Sequence, residues 1–200
     1  MSAFGQISET AAKTPGLPVE IHLGIGALMR ATFRNLIVAV VVGATVSMAA
    51  IQAPAVAAPA YGGDVKRSVV INRAQDWLDR NVQYDSGAVA WDINQGRQYR
   101  QDSSGFVSMT WKLTSNATTG TLDNYSHQIN WNDLLPGDAL LKQGSHVLLF
   151  DSWVNADTKA DFWIYELRNS DSDMLHRKVN VRDTRNDDFV PMRYDHIVKG

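Results

Sequence analysis

The segment Ser103 to Leu113, written SSGFVSMTWKL, is apolar on nearly every side past its first turn. A helix of that kind has no face to offer to water, so the rest of the chain must enclose it. Whatever forms around it is therefore a packed core, with Ser103 at the helix start. No disulfide can stand in for that packing, because the chain has no cysteine. The same absence excludes a thiolate metal site, a thiol nucleophile and a lipid-modified cysteine.

The elements that could wrap this helix are readable to either side. Upstream, Asp64 is placed to cap a helix running to about Asn81, with Val70, Ala74, Trp77 and Leu78 at helical spacing. Arg73, Asp76 and Arg80 then point elsewhere. Val82 to Gln101 is rich in Gly, Asp, Asn and Gln without a period and reads as a long loop with one short strand. Downstream, Asn116, Gly120, Asp123 and Asn124 mark a second loop, and Leu134 to Asp138 is a turn delivering the chain into Ala139 to Leu141. Strand-like runs follow at His146 to Phe150, Phe162 to Leu167 and His176 to Val181. Helices precede strands, the order of an α+β fold with N-terminal helices packed on an antiparallel β-sheet.

The N-terminal third has a different character. Arg30 and Arg34 precede the apolar run Leu36 to Ala50, and the small residues Ala53-Pro-Ala-Val-Ala-Ala-Pro-Ala60 follow it, the order of a secretory signal peptide. The run is shorter than the roughly 20 residues needed to span a bilayer. Residues 1–60 are thus expected to be an N-terminal extension and signal peptide, and 61–200 a single domain that is secreted, extracellular or in the cell wall, with no membrane attachment after cleavage. A start at Met29 in place of Met1 would give a compact positive region before the run. The 200 residues carry a net charge of −2, which provides no basic field for holding nucleic acid.

Chemistry concentrates in Asp102-Ser103-Ser104-Gly105-Phe106-Val107. A nucleophile at a helix N-terminus feels the helix dipole and the free backbone amides, which can stabilise an oxyanion. A histidine must then reach it. His22 precedes the signal, His127 sits in a turn-rich segment and His196 is near the C-terminus, whereas His146 opens an apolar strand that would hold its ring rigidly.

The segment resembles the Asp-Cys-Ser-Gly-Phe of NlpC-type cell-wall peptidases (the NlpC and p-sixty superfamily), with serine in place of cysteine. Val82-Gln83-Tyr84 is similar to that family's Pro-Tyr segment. Leu135-Pro136-Gly137-Asp138-Ala139-Leu140 resembles its Leu-x-Pro-Gly-Asp-Leu turn, and Ser145-His146-Val147 its His-Val strand. The resemblance runs in order over roughly residues 65–195.

It implies a papain-like domain that hydrolyses amide bonds of peptidoglycan stem peptides, beside D-glutamyl and diamino-acid residues, or other amides in some relatives. It also implies catalytic roles for Ser103 as nucleophile, His146 as base and a third residue from the next strand that orients the imidazole. Glu166 is the carboxylate of that strand, and His176 on the following one is the alternative. Tyr84, Asp102 and Ser104 are the expected substrate-side residues; Asp102 and Ser104 are equally suited to capping the helix, and Tyr84 to packing as a half-buried aromatic.

A serine hydroxyl is far harder to ionise than a thiol and attacks only with concerted proton removal. Three readings of Ser103 stand open: a natural serine hydrolase, a silent relative that binds muropeptide or a protein, and a substitution that traps substrate. No metal or other cofactor is expected. Asp171-Ser-Asp173 lacks the glycine and glutamate of a calcium loop, and there is neither a His-Glu-x-x-His nor a glycine-rich phosphate loop.

Overall fold

The computed structural model describes residues 60–200, so the expected signal peptide and extension lie outside the described residues. The chain runs β1 (Val65–Lys66), α1 (Arg67–Asp79), β2 (Asp85–Trp91), β3 (Gln98–Gln101), α2 (Ser103–Thr110), β4 (Ser126–Gln128), β5 (Ala139–Lys142), β6 (His146–Trp153), β7 (Asp161–Leu167), β8 (Met174–Asn180), α3 (Val181–Asn186), β9 (Val190–Tyr194) and β10 (Ile197–Val198), with short 3-10 helices at Leu122–Tyr125 and Trp131–Asp133. Six strands form one sheet in the order β4-β9-β5-β6-β7-β8, and every neighbouring pair is antiparallel. The fold is α+β, with both long helices preceding the sheet.

Side chains alternate across a strand, and the sheet separates two apolar layers on that basis. Val147 and Leu149 of β6 face the layer that contains Trp77 of α1 and Phe106, Val107 and Met109 of α2. Leu148 and Phe150 face the other layer, with Phe162, Ile164 and, at its edge, Phe189. The helix α2 is buried at every position from Ser103 to Thr110, as its all-round apolar character requires.

Two glycines of the recognisable motifs have local reasons. Gly137 adopts φ +89°, the left-handed region that glycine enters without penalty. At Gly105 a side chain would collide with the Arg100 backbone, its carbonyl oxygen lying 2.2 Å from where a Cβ would stand. The turn at Gly137 is fixed further by Asp138, fully buried, which accepts hydrogen bonds from the Leu135 amide, Arg67 and Arg193 and so ties α1, the turn and β9 together.

Several expectations change. Helix α1 begins at Arg67, and Lys66 rather than Asp64 occupies its N-cap, without a side-chain hydrogen bond. Arg73 does not point outward: it is 1% exposed because its guanidinium bonds Asp92 at 3.1 Å and the Met109 carbonyl at 2.8 Å. The expected loop at 82–101 is largely a β-hairpin, β2 with β3. The strand expected at His176 to Val181 is β8, Met174–Asn180, while Val181 opens α3.

Candidate functional site

Ser103 opens α2 as expected, and Asp102 caps it. One Asp102 oxygen accepts from the Gly105 amide at 2.6 Å and from the Ser104 hydroxyl at 3.0 Å; the other accepts from Arg100 at 2.7 Å. Asp102 and Ser104 are thus engaged in building the helix start. Ser103 itself is 7% exposed, and its hydroxyl has no hydrogen-bond partner among the described residues. Tyr84 is half-buried against the helix-side core, and its backbone amide donates to Asp173 at 2.9 Å.

His146 begins β6, and its Nε2 lies 2.9 Å from Glu166 Oε2. Glu166 is 1% exposed, and its second oxygen accepts from Arg177 Nε. Burial works to raise the Glu166 pKa, but the hydrogen bonds from His146 and Arg177, together with their charges, hold it below the ordinary carboxylate value. An ionised carboxylate only accepts, so the proton between the two belongs to Nε2 of the ring. In the neutral ring this leaves Nδ1 without a hydrogen-bond partner among the described residues. Phe189 meets the imidazole edge-on, with centroids 6.3 Å apart, and restrains its tilt.

These residues share a face because of register. Leu149 pairs with Tyr165 and Phe150 with Ile164, so Glu166 stands across from Leu148. Tyr165 and Leu167 belong to the helix-side core, which puts Glu166 on the opposite face, together with His146 and Leu148. A cavity of about 570 Å³ opens there, lined by His146, Glu166, Arg177 and α3.

The expectation that Ser103 faces the His146 ring is not met. Helix α2 covers the Val147 and Leu149 face, while the imidazole leaves β6 on the other, and no hydrogen bond joins them. Ser103 does not line the cavity beside His146. The orientation of α2 does direct its first turn away from the Phe150 end of β6. Trp111, just past the helix, donates to the Gly137 carbonyl at 2.9 Å, and Gly137 is bonded to Phe150. Ser103 lies about 12 Å back along the axis, at a rise of about 1.5 Å per residue.

His176, the alternative third residue, is on the helix-side face opposite Tyr165 and bonds Asp151 at 3.0 Å, apart from His146 and Glu166. Arg177 was not singled out in the sequence. The signal was its place in Met174-Leu-His-Arg-Lys-Val-Asn180, where a period of two puts Arg177 and Val179 on one face. Among the described residues no three histidine, cysteine or acidic side chains converge as a metal-binding group. Comparison with protein-family models, with curated proteins and with solved structures returns no match.

Proposed function

We propose that this chain is an exported NlpC-type hydrolase of papain-like architecture that cleaves amide bonds in peptidoglycan stem peptides, with Ser103 at the nucleophile position, His146 as base and Glu166 as orienter. The observation that carries this reading is the His146–Glu166 pair: a buried carboxylate sets the ring tautomer and leaves Nδ1 free to accept a proton. His146 is the first residue of its strand and 23% of its side chain is exposed, but its ring leaves β6 on the face opposite α2, so this mechanism requires the ring and the first turn of α2 to be brought together at the substrate. There Nδ1 takes the Ser103 proton as Oγ attacks the amide carbon. The oxyanion rests on the free amides of the first helical turn, and the imidazolium returns its proton to the departing amine. Water then releases the acyl group by the same base.

Export rests on the charged, apolar and small-residue order of residues 30–60. The expected mature form begins between Ala58 and Tyr61, and an intact mass that retains Met1 or Met29 in the secreted protein would remove that part of the reading.

A second reading has its own support. Ser103 is unbonded to His146 and its helix lies on the other face, an arrangement suited to a silent domain that binds muropeptide or a protein partner. The deciding experiment measures peptide release from purified peptidoglycan by the protein, by Ser103→Cys and by Ser103→Cys with His146→Ala. Under the hydrolase reading Ser103→Cys cleaves at least as fast as the parent, and the added His146→Ala abolishes cleavage. A folded Ser103→Cys protein that cleaves nothing favours the binding domain.

A further inference from the structure

The cavity beside His146 has walls of opposite charge. On the sheet side stands Arg168, just past β7 and two residues beyond Glu166; across from the sheet are Asp183 of α3 and Asp187, which follows it. Arg177 is engaged with Glu166. Arg168 makes no ion pair among the described residues, and neither does Asp187. Phe189 adds an apolar surface to the lining.

A cation and an anion left unpaired around one cavity are solvated at rest and become direct partners for a ligand that carries both complements. The volume of about 570 Å³ is that of a small-ligand site. A neutral or singly charged ligand would leave one wall unmatched on entering.

We infer that this cavity binds a short peptide with both ends free, as a zwitterion, with its carboxylate on Arg168 and its ammonium on Asp187. The inference goes beyond the proposed function: His146 enters it only as a residue lining the cavity. Binding there does not involve Ser103. The ligand class is free peptides that carry both end charges, in preference to the middle of a chain whose ends are blocked.

Trialanine tests this, because its only charges are its termini. Titrating the purified protein with free, N-acetylated, C-amidated and doubly blocked trialanine, followed by NMR shifts of residues lining the cavity, should give the tightest binding for the free peptide. Each block should weaken it about tenfold, the effect of one charge-assisted hydrogen bond. Arg168→Gln should remove the sensitivity to C-amidation alone, and Asp187→Asn the sensitivity to N-acetylation alone. Both residues are exposed, so these variants keep the fold, which unfolding curves check. Equal binding of all four peptides, or no shifts at millimolar free trialanine, overturns the inference. Neither result touches hydrolysis, which the Ser103→Cys comparison reads separately.

Discussion

Glu166 divides its two oxygens between His146, at 2.9 Å, and Arg177, so that one buried carboxylate serves an imidazole and a guanidinium at once. These bonds lower its pKa against the opposing effect of burial. Its stabilising contribution is therefore complete above the unfolded carboxylate value of about 4.3 and is lost as pH falls through the lower folded value. Glu166→Gln removes the titration. The variant should be about 1–3 kcal/mol less stable than the parent at pH 7, with the gap closing below about pH 4. Urea unfolding at pH 7, 5 and 3 reads this, and a gap that widens on acidification would contradict it.

Asp102 and Ser103 are neighbours with opposite energetic standing. Asp102 caps α2 and also holds Ser104 and Arg100, so Asp102→Ala should cost about 1–2 kcal/mol. Ser103→Ala deletes a hydroxyl without a partner and should stay within about 0.5 kcal/mol of the parent. Matching losses for the two in chemical denaturation would mean that the Ser103 hydroxyl has a structural bond after all.

The parts of the fold that the sequence made legible are those with a local physical cause. The helix at 103 announces itself by being apolar all round, and the turn at Gly137 by its Pro-Gly-Asp run. The face on which His146 projects was not legible. Val147, Leu148, Leu149 and Phe150 are all apolar, so no alternation distinguishes the two sides of β6, and only pairing with β7 decides. The burial of Arg73 is not legible either, because its partner Asp92 is 19 residues away on a hairpin that a Gly- and Asn-rich stretch conceals. The short helix α3 is hidden for a different reason: its six residues, VRDTRN, contain too few apolar positions to show a period, although Asn180 caps it by accepting from the Arg182 and Asp183 amides.

The buried pair Arg73–Asp92 yields a third expectation. Asp92 also accepts from Tyr61 at 2.6 Å. Burial tends to raise its pKa, but the bonds from Tyr61, Arg73 and the Gly96 amide bring it below the ordinary value. Asp92→Ala would strand a guanidinium that is 1% exposed, for a loss of about 3–5 kcal/mol. Tyr61→Phe removes a single hydrogen bond and should lose about 1 kcal/mol. Thermal unfolding ranks the two, and a Tyr61→Phe loss as large as that of Asp92→Ala would show that the tyrosine, rather than the ion pair, holds the segment.

The last expectation sets helix propensity against sterics at Gly105. Alanine is the better helix former by about 1 kcal/mol, so Gly105→Ala should stabilise α2 if propensity governed. The added Cβ would stand 2.2 Å from the Arg100 carbonyl oxygen and 2.8 Å from its carbon. Both atoms are backbone at the end of β3, and neither can swing aside as a flexible side chain would. Relief requires α2 to move off β3, which also pulls Asp102 from Arg100 and disturbs the packing of Phe106 against Trp77, whose rings are 6.0 Å apart. Sterics should therefore win, with a net loss of about 2–3 kcal/mol or more. Gly63, where an added Cβ meets nothing within 4 Å, is the control, and Gly63→Ala should change stability by no more than about 0.5 kcal/mol. Equal unfolding midpoints for the two variants would mean that α2 is not seated against β3 as closely as 2.2 Å implies, and the position of Ser103 at its first turn would have to be redrawn.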